Sequence, residues 1–83
     1  MIYQLSWKIL PGLRGLSCSE FQAATTDAPD NERGVALELG TDAERDALLW
    51  ELEKHFAARR FTNTADAFDS VRAFVLEWAA ARK

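Results

Sequence analysis

VALELGTDAERDALLWELEKHF, residues 35–56, changes its hydrophobic period halfway along, and that change decides the fold class. From Gly34 to Leu39 the pattern has period two. Val35, Leu37 and Leu39 face one way and Ala36 and Glu38 the other, as in a half-buried strand. Gly40 ends the strand. Thr41-Asp42-Ala43-Glu44 then fits a capping box, with Thr41 at the N-cap and Glu44 at the third helical position. Asp42 and Glu44 also complement the positive end of the helix dipole. At about 100° per residue, Leu48, Leu49, Leu52 and Phe56 fall on one side with the stem of Arg45, which predicts a core-facing helix running to about Arg59.

C-terminal to this helix, Phe61-Thr62-Asn63 reads as a short connection and Thr64 as the N-cap of a second helix. Ala67, Phe68, Val71, Phe74, Val75 and Trp78 form its broad apolar face, and Asp66, Asp69, Ser70 and Glu77 lie away from it. Arg82 and Lys83 suit the negative C-terminal end. The short link predicts an antiparallel pair of amphipathic helices.

On the N-terminal side, Ile2 to Ile9 alternates. Tyr3, Leu5, Trp7 and Ile9 share one face, and Gln4, Ser6 and Lys8 share the other. Pro11-Gly12 is expected to stop this strand in a turn. Residues 13–24 keep no single period. A second strand near Leu16–Ala23 with a bulge is the preferred reading, and a short helix from Ser19 is its rival. TTDAPDNER, residues 25–33, is a loop. The expected fold is α+β in the order β-β-β-α-α. A small antiparallel sheet of two to three strands is followed by the helix pair, in one domain spanning residues 1–83.

Composition bounds the function. Of the 83 residues 48% are hydrophobic, with three Trp and five Phe, which is too apolar for disorder. The net charge of −3 leaves no basic stripe to follow a phosphate backbone, so direct nucleic-acid binding is not expected. Cys18 is the only cysteine and His55 the only histidine, so neither a disulfide nor a multi-histidine metal site can form within the chain. The N-terminus lacks a signal-peptide pattern, and no run approaches the roughly 18–20 apolar residues of a membrane span. A cytoplasmic protein without cofactor or metal is the expectation.

Chemistry finds little support. His55 flanks the core face of its helix beside Leu48 and Leu52, as a boundary histidine does. No local signature makes Cys18 a nucleophile. Pro11-Gly12-Leu13-Arg14-Gly15 lacks the Lys-Ser/Thr of a phosphate loop. The abundant carboxylates read as solvated faces.

Trp50 is the informative residue. It lies roughly opposite the core face of its helix, among Ala43, Ala47 and Ala57. Either it packs on the second helix, or it stands in solvent for a partner, since Trp is enriched at interface hot spots. Asp46 and Glu53 flank it. Glu20, Asp27, Asp30 and Glu32 add acids in and before the loop. The residues expected to contact a partner are therefore Trp50, Glu53, Asp46, Glu20, Asp27, Asp30 and Glu32. A second small strip, Ala73, Leu76 and Ala80, is flanked by Asp69 and Glu77. An apolar centre with an acidic rim suits a larger protein with a basic or apolar surface, such as an enzyme that handles nucleic acid. Two apolar faces per helix also suit a homodimer.

Short acidic α+β chains without a catalytic set are common among phage inhibitors of host enzymes, including anti-CRISPR proteins, and among antitoxins. A non-catalytic inhibitor of the first kind is the expected function, and a regulatory or antitoxin-like homo-oligomer is the alternative. No motif carries either.

Overall fold

The computed structural model describes residues 1–82. β1 (Ile2–Gly12) and β2 (Gly15–Thr25) form a long hairpin, and β3 (Val35–Glu38) pairs antiparallel with the start of β1, giving the strand order β2-β1-β3. α1 (Asp42–Phe56) and α2 (Thr64–Ala81) follow. The architecture is the α+β order β-β-β-α-α read from the sequence. Eleven-residue strands rise about 3.4 Å per residue, so the hairpin accounts for the 38 Å long dimension of the molecule.

The alternation of β1 is real. Tyr3 and Leu5 are fully buried, Trp7 and Ile9 half-buried, and Ser6 and Lys8 exposed. The strand does not stop at Pro11-Gly12. Pro11 pairs with Leu16 and Gly12 with Gly15, so the turn is the dipeptide Leu13-Arg14. Proline is tolerated there because β3 pairs with β1 only from Ile2 to Leu5, leaving the far half of that edge open. Neither turn residue has positive φ; Gly15 (φ 120°) supplies the left-handed backbone instead.

Residues 13–24 are strand rather than helix, with the bulge that hides their period. Ser6 faces Gln22 and Lys8 faces Ser19, so Glu20 and Phe21 together oppose Trp7. Glu20 takes φ 53° to make the bulge. Cys18 and Phe21 are both buried, three positions apart, because the extra residue shifts the inward register by one.

The two outer strands are each partly covered at the edge. On β2, Leu16 and Phe61 exchange two backbone hydrogen bonds of 2.9 Å, so the connection between the helices adds a one-residue bridge to that edge. On β3, Asn31 Oδ1 accepts from the Ala36 amide (3.0 Å). The loop before β3 is tied down by the Gln4 side chain, which donates to the Asp30 carbonyl (2.6 Å) and accepts from the Asp30 amide (2.7 Å).

Thr41 caps α1, its Oγ1 accepting from the Glu44 amide at 3.2 Å. Leu48, Leu52 and Phe56 are buried as the sequence predicts. The helix ends at Phe56 rather than near Arg59, because the chain must turn to bring Phe61 onto β2. Asn63, not Thr64, caps α2: its Oδ1 accepts from the Asp66 amide at 2.8 Å. Ala67, Val71 and Val75 are buried; Phe74 and Trp78 pack at the margin of the core, and Phe68 is half-buried against Trp7. Arg82 sits at the C-cap of α2, and its Nε lies 3.9 Å from Glu44 in the first turn of α1, which fixes the helices as antiparallel. The expectation that Lys83 closes this helix falls outside the described residues.

Tyr3 joins the sheet to the helical layer. Its ring is buried, and its hydroxyl donates to Asp42 Oδ1 (2.6 Å) beside Arg45. The hydrogen bond to the carboxylate, then burial, raise the Tyr3 pKa above its ordinary value of 10.0. The folded state thus holds this proton more tightly than the unfolded one. The contribution is complete below pH about 10 and lost as pH rises through the folded pKa. Tyr3→Phe should lower the melting temperature by about a few degrees at pH 7. Thermal melts should show the difference shrinking in the alkaline limb, as the Tyr3 hydroxyl ionises.

Candidate protein-binding face

The helical wheel leaves Trp50 open to two positions, and the structure settles it: Trp50 does not pack on α2 and is 60% exposed. The reason is geometric. α1 spends its buried side on Leu48, Leu52 and Phe56, and Phe56 and His55 make its aromatic contacts with Phe74 of α2. Trp50 points away from all of these. Ala43, Ala47 and Ala57 around it are exposed and too small to cover the indole.

Lys54, one turn on, covers part of the ring, with Nζ 4.8 Å from its centroid. The sequence reading missed this residue, although its spacing of four from Trp50 was the available signal. Asp46, one turn back, is held by Arg45 Nε at 3.1 Å through Oδ1, and its side chain stays two-thirds exposed. Glu53, on the same flank of α1 as Asp46, lines a cavity of about 260 Å³ between α1 and the outer edge of β2. Ser17, Cys18, Ser19, Glu20, Phe21, Ala57 and Arg60 complete that cavity. Trp50, Asp46, Glu53 and Glu20 therefore share one side of the molecule.

The remaining acids do not join them. Asp27 lines a separate hollow with Met1, Ile2, Thr25 and Thr26. Asp30 is turned to Gln4 and to Arg33 (4.0 Å), and its Oδ1 accepts from the Glu32 amide (2.9 Å). Asn31 between them receives Arg72 Nη2 of α2 on its carbonyl (3.3 Å). The loop lies on the β3 side of the sheet, whereas α1 packs over β2. The acidic surface read from the sequence is thus two surfaces. Glu20 pairs with Lys8 across the bulge (3.4 Å).

The groups with potential chemistry stand apart. Burial pushes the Cys18 thiol above its ordinary pKa, which keeps it protonated at neutral pH. Its cavity holds carboxylates and Arg60 but no imidazole. His55 meets Phe56 edge-on and Phe74 at a tilt, and accepts at Nε2 from Arg59 (3.2 Å). Arg60 donates to the Ala57 and Arg59 carbonyls at the end of α1. Among the described residues no three His, Cys, Asp or Glu side chains gather as a metal site, and no helix is long and apolar enough to cross a membrane.

A second exposed apolar feature escaped the sequence reading. Leu13 at the hairpin turn is fully exposed, with Leu10 beside it at 44%. The signal was an apolar residue in a two-residue turn, where polar residues are usual. The other strip, on α2, does have Leu76 exposed at 54%, with Ala73 and Ala80. Compared with known proteins, the chain matches no family model, no curated protein and no solved structure.

Proposed function

We propose that the protein is a non-catalytic binding protein that docks through the outer face of α1, with Trp50 as the anchor and Asp46, Glu53 and Glu20 as its acidic flank. The partner is a larger protein presenting an apolar pocket with a basic rim, a chemistry found in the grooves of enzymes that handle nucleic acid. Occupying such a groove would inhibit the enzyme without any reaction. The observation that supports this reading is the exposure of Trp50 on a stripe of alanines.

The magnitude favours Trp50 over the other exposed groups. A Trp side chain offers up to roughly 250 Å², and 60% of this one is open. Covering about 150 Å² at 25 cal/mol/Å² contributes on the order of 3–4 kcal/mol. Ion pairs at an exposed rim contribute less, about 0–1 kcal/mol each, and act more on encounter rate and choice of partner. Trp50→Ala should therefore weaken partner binding roughly 100-fold or more, while the melting temperature stays within about 3 °C of wild type because the side chain supports no core contact. Titration of the purified partner against wild type, Trp50→Ala and Leu13→Ser reads this directly. Unchanged affinity of Trp50→Ala contradicts the assignment, and loss confined to Leu13→Ser moves the site to the hairpin tip.

A further inference from the structure

We infer that the open half of the β1 edge is a docking site for an extended, acidic peptide segment of a partner protein, which adds to the sheet as a strand in line with β3. This is a second surface. It faces away from β2 and does not depend on the Trp50 face.

The backbone sets the chemistry. Successive residues of a strand point their N–H and C=O groups to alternate sides. The Met1 carbonyl accepts from the Leu39 amide on the β3 side, and the Ile2 carbonyl accepts from the Thr26 amide on the β2 side. Tyr3 and Leu5 therefore serve β3, and Trp7, Ile9 and Pro11 continue that side. The other end of the strand agrees. Leu16, opposite Pro11, gives both its backbone groups to Phe61, so Pro11 also faces away from β2. β3 pairs no further than Leu5. The N–H groups of Trp7 and Ile9, and the carbonyls of Trp7, Ile9 and Pro11, are left along about 14 Å of edge. Among the described residues no backbone group meets them. Free groups at strand spacing select an extended peptide. The half-buried Trp7 and Ile9 offer its alternate side chains apolar neighbours on the helix-covered face.

The side chains set the charge. The Trp7 ring meets Phe68 of α2 (5.2 Å), and Arg72, one turn on, lies over Phe68 (5.6 Å). Arg72 is engaged by that ring and by the Asn31 carbonyl rather than by a carboxylate. Arg33 precedes Gly34, which lies against the Leu5 carbonyl; its side chain is 92% exposed and touches only Asp30, at 4.0 Å. Both guanidinium groups thus stand where β3 enters the sheet, at the near end of the open edge. Asp69, next to Phe68, is turned about 100° further round α2 and is exposed. A strand that continues β3 runs antiparallel to β1 and finishes beside Arg33, so its acids belong at its C-terminal end.

A second copy of the chain is a poor occupant. From Ile2 to Ser19 the sequence has no acidic residue and carries Lys8 and Arg14. Its hairpin would bring like charge to Arg33 and Arg72.

The test uses a synthetic peptide of about eight residues, alternating Val and Ser and ending in Glu-Glu, titrated to about 1 mM into the isotope-labelled protein and followed by NMR. The amides of Trp7 and Ile9 should shift and exchange more slowly with solvent, with a dissociation constant on the order of 10–100 µM, while the Leu16 amide and the Trp50 indole stay in place. Arg33→Glu should weaken binding about fivefold, and the same peptide ending in Lys-Lys should bind that variant better than it binds wild type. Of two peptide versions methylated on alternate backbone nitrogens, the one blocked on the β1 side should lose binding about tenfold or more, and the other should keep it. No shift at Trp7 and Ile9 overturns the inference. So does equal binding of the acidic and Lys-ended peptides to wild type, which removes the charge preference. Equal binding of the two methylated versions overturns it as well, because the contact then lies off the backbone edge. A short oligothymidylate that moves the same amides as strongly makes the site a general anion surface and overturns it too.

Discussion

Gly34→Ala should destabilise the protein by about 3 kcal/mol or more. A Cβ at this position would collide with the Leu5 carbonyl oxygen and lie 3.0 Å from Gln4 Nε2. Neither neighbour can yield cheaply. Leu5 is fully buried on the central strand and pairs with Val35, the residue after the glycine. The Gln4 amide holds the Asp30 backbone by two hydrogen bonds, so displacing it releases the loop before β3. β3 is four residues long and has no second partner strand to absorb a shift. A chain this short has a stability near the lower end of about 5–15 kcal/mol, so this loss takes a large share. Chemical denaturation should show a midpoint moved far down with α1 and α2 lost together with the sheet. A wild-type midpoint would mean that β3 does not approach β1 as closely as the structure has it.

Phe56→Ala should cost about 3–5 kcal/mol, the usual range for emptying a buried phenylalanine site. Phe56 is 1% exposed, and its ring meets those of Phe21 on β2, Phe61 in the connection and Phe74 on α2, with centroids 5.7–6.2 Å apart. Removing it leaves a void bounded by all three parts of the fold, and none of them can close over it without breaking another contact. The effect should exceed that of Trp50→Ala several-fold, although tryptophan is the larger residue, because only one of the two is inside. Calorimetry of the two variants side by side checks that ordering.

What could be read from the sequence follows how local each signal is. The alternation from Ile2 to Ile9, the Thr41 cap and the apolar stripe of α2 are local patterns, and each stands in the structure. The bulge of β2 is only half local. An extra residue at Glu20 moves Phe21 into the register that Gln22 would otherwise hold, so the strand has two correct alternations with a break between them and no single period. The end of α1 depends on a distant contact, the pairing of Phe61 with Leu16, which nothing near Arg59 announces. The cap of α2 was misplaced by one residue because Asn63 and Thr64 both have capping side chains.

The candidate site divides in the same way. Helical spacing puts Trp50 opposite the core face, but whether α2 lies over it depends on how the helices sit on the sheet. α2 meets the other side of α1, through Phe74 against His55 and Phe56, and Trp50 is left in solvent. The grouping of acids in sequence did not carry into space. Asp30 and Glu32 went with Gln4 to the β3 side, and only Glu20, carried by the bulge, remained near Glu53. Charge counted along a chain says little about which surface bears it once a loop of this length crosses the sheet.

The central claim, that proteins dock on the outer face of α1, is tested most directly by a photo-crosslinking amino acid placed at position 50 in the native host. The same group at position 22, an exposed residue of β2, gives the comparison. The account predicts adducts with a larger protein from position 50 and few from position 22. Adducts from position 22 with none from position 50 would contradict it.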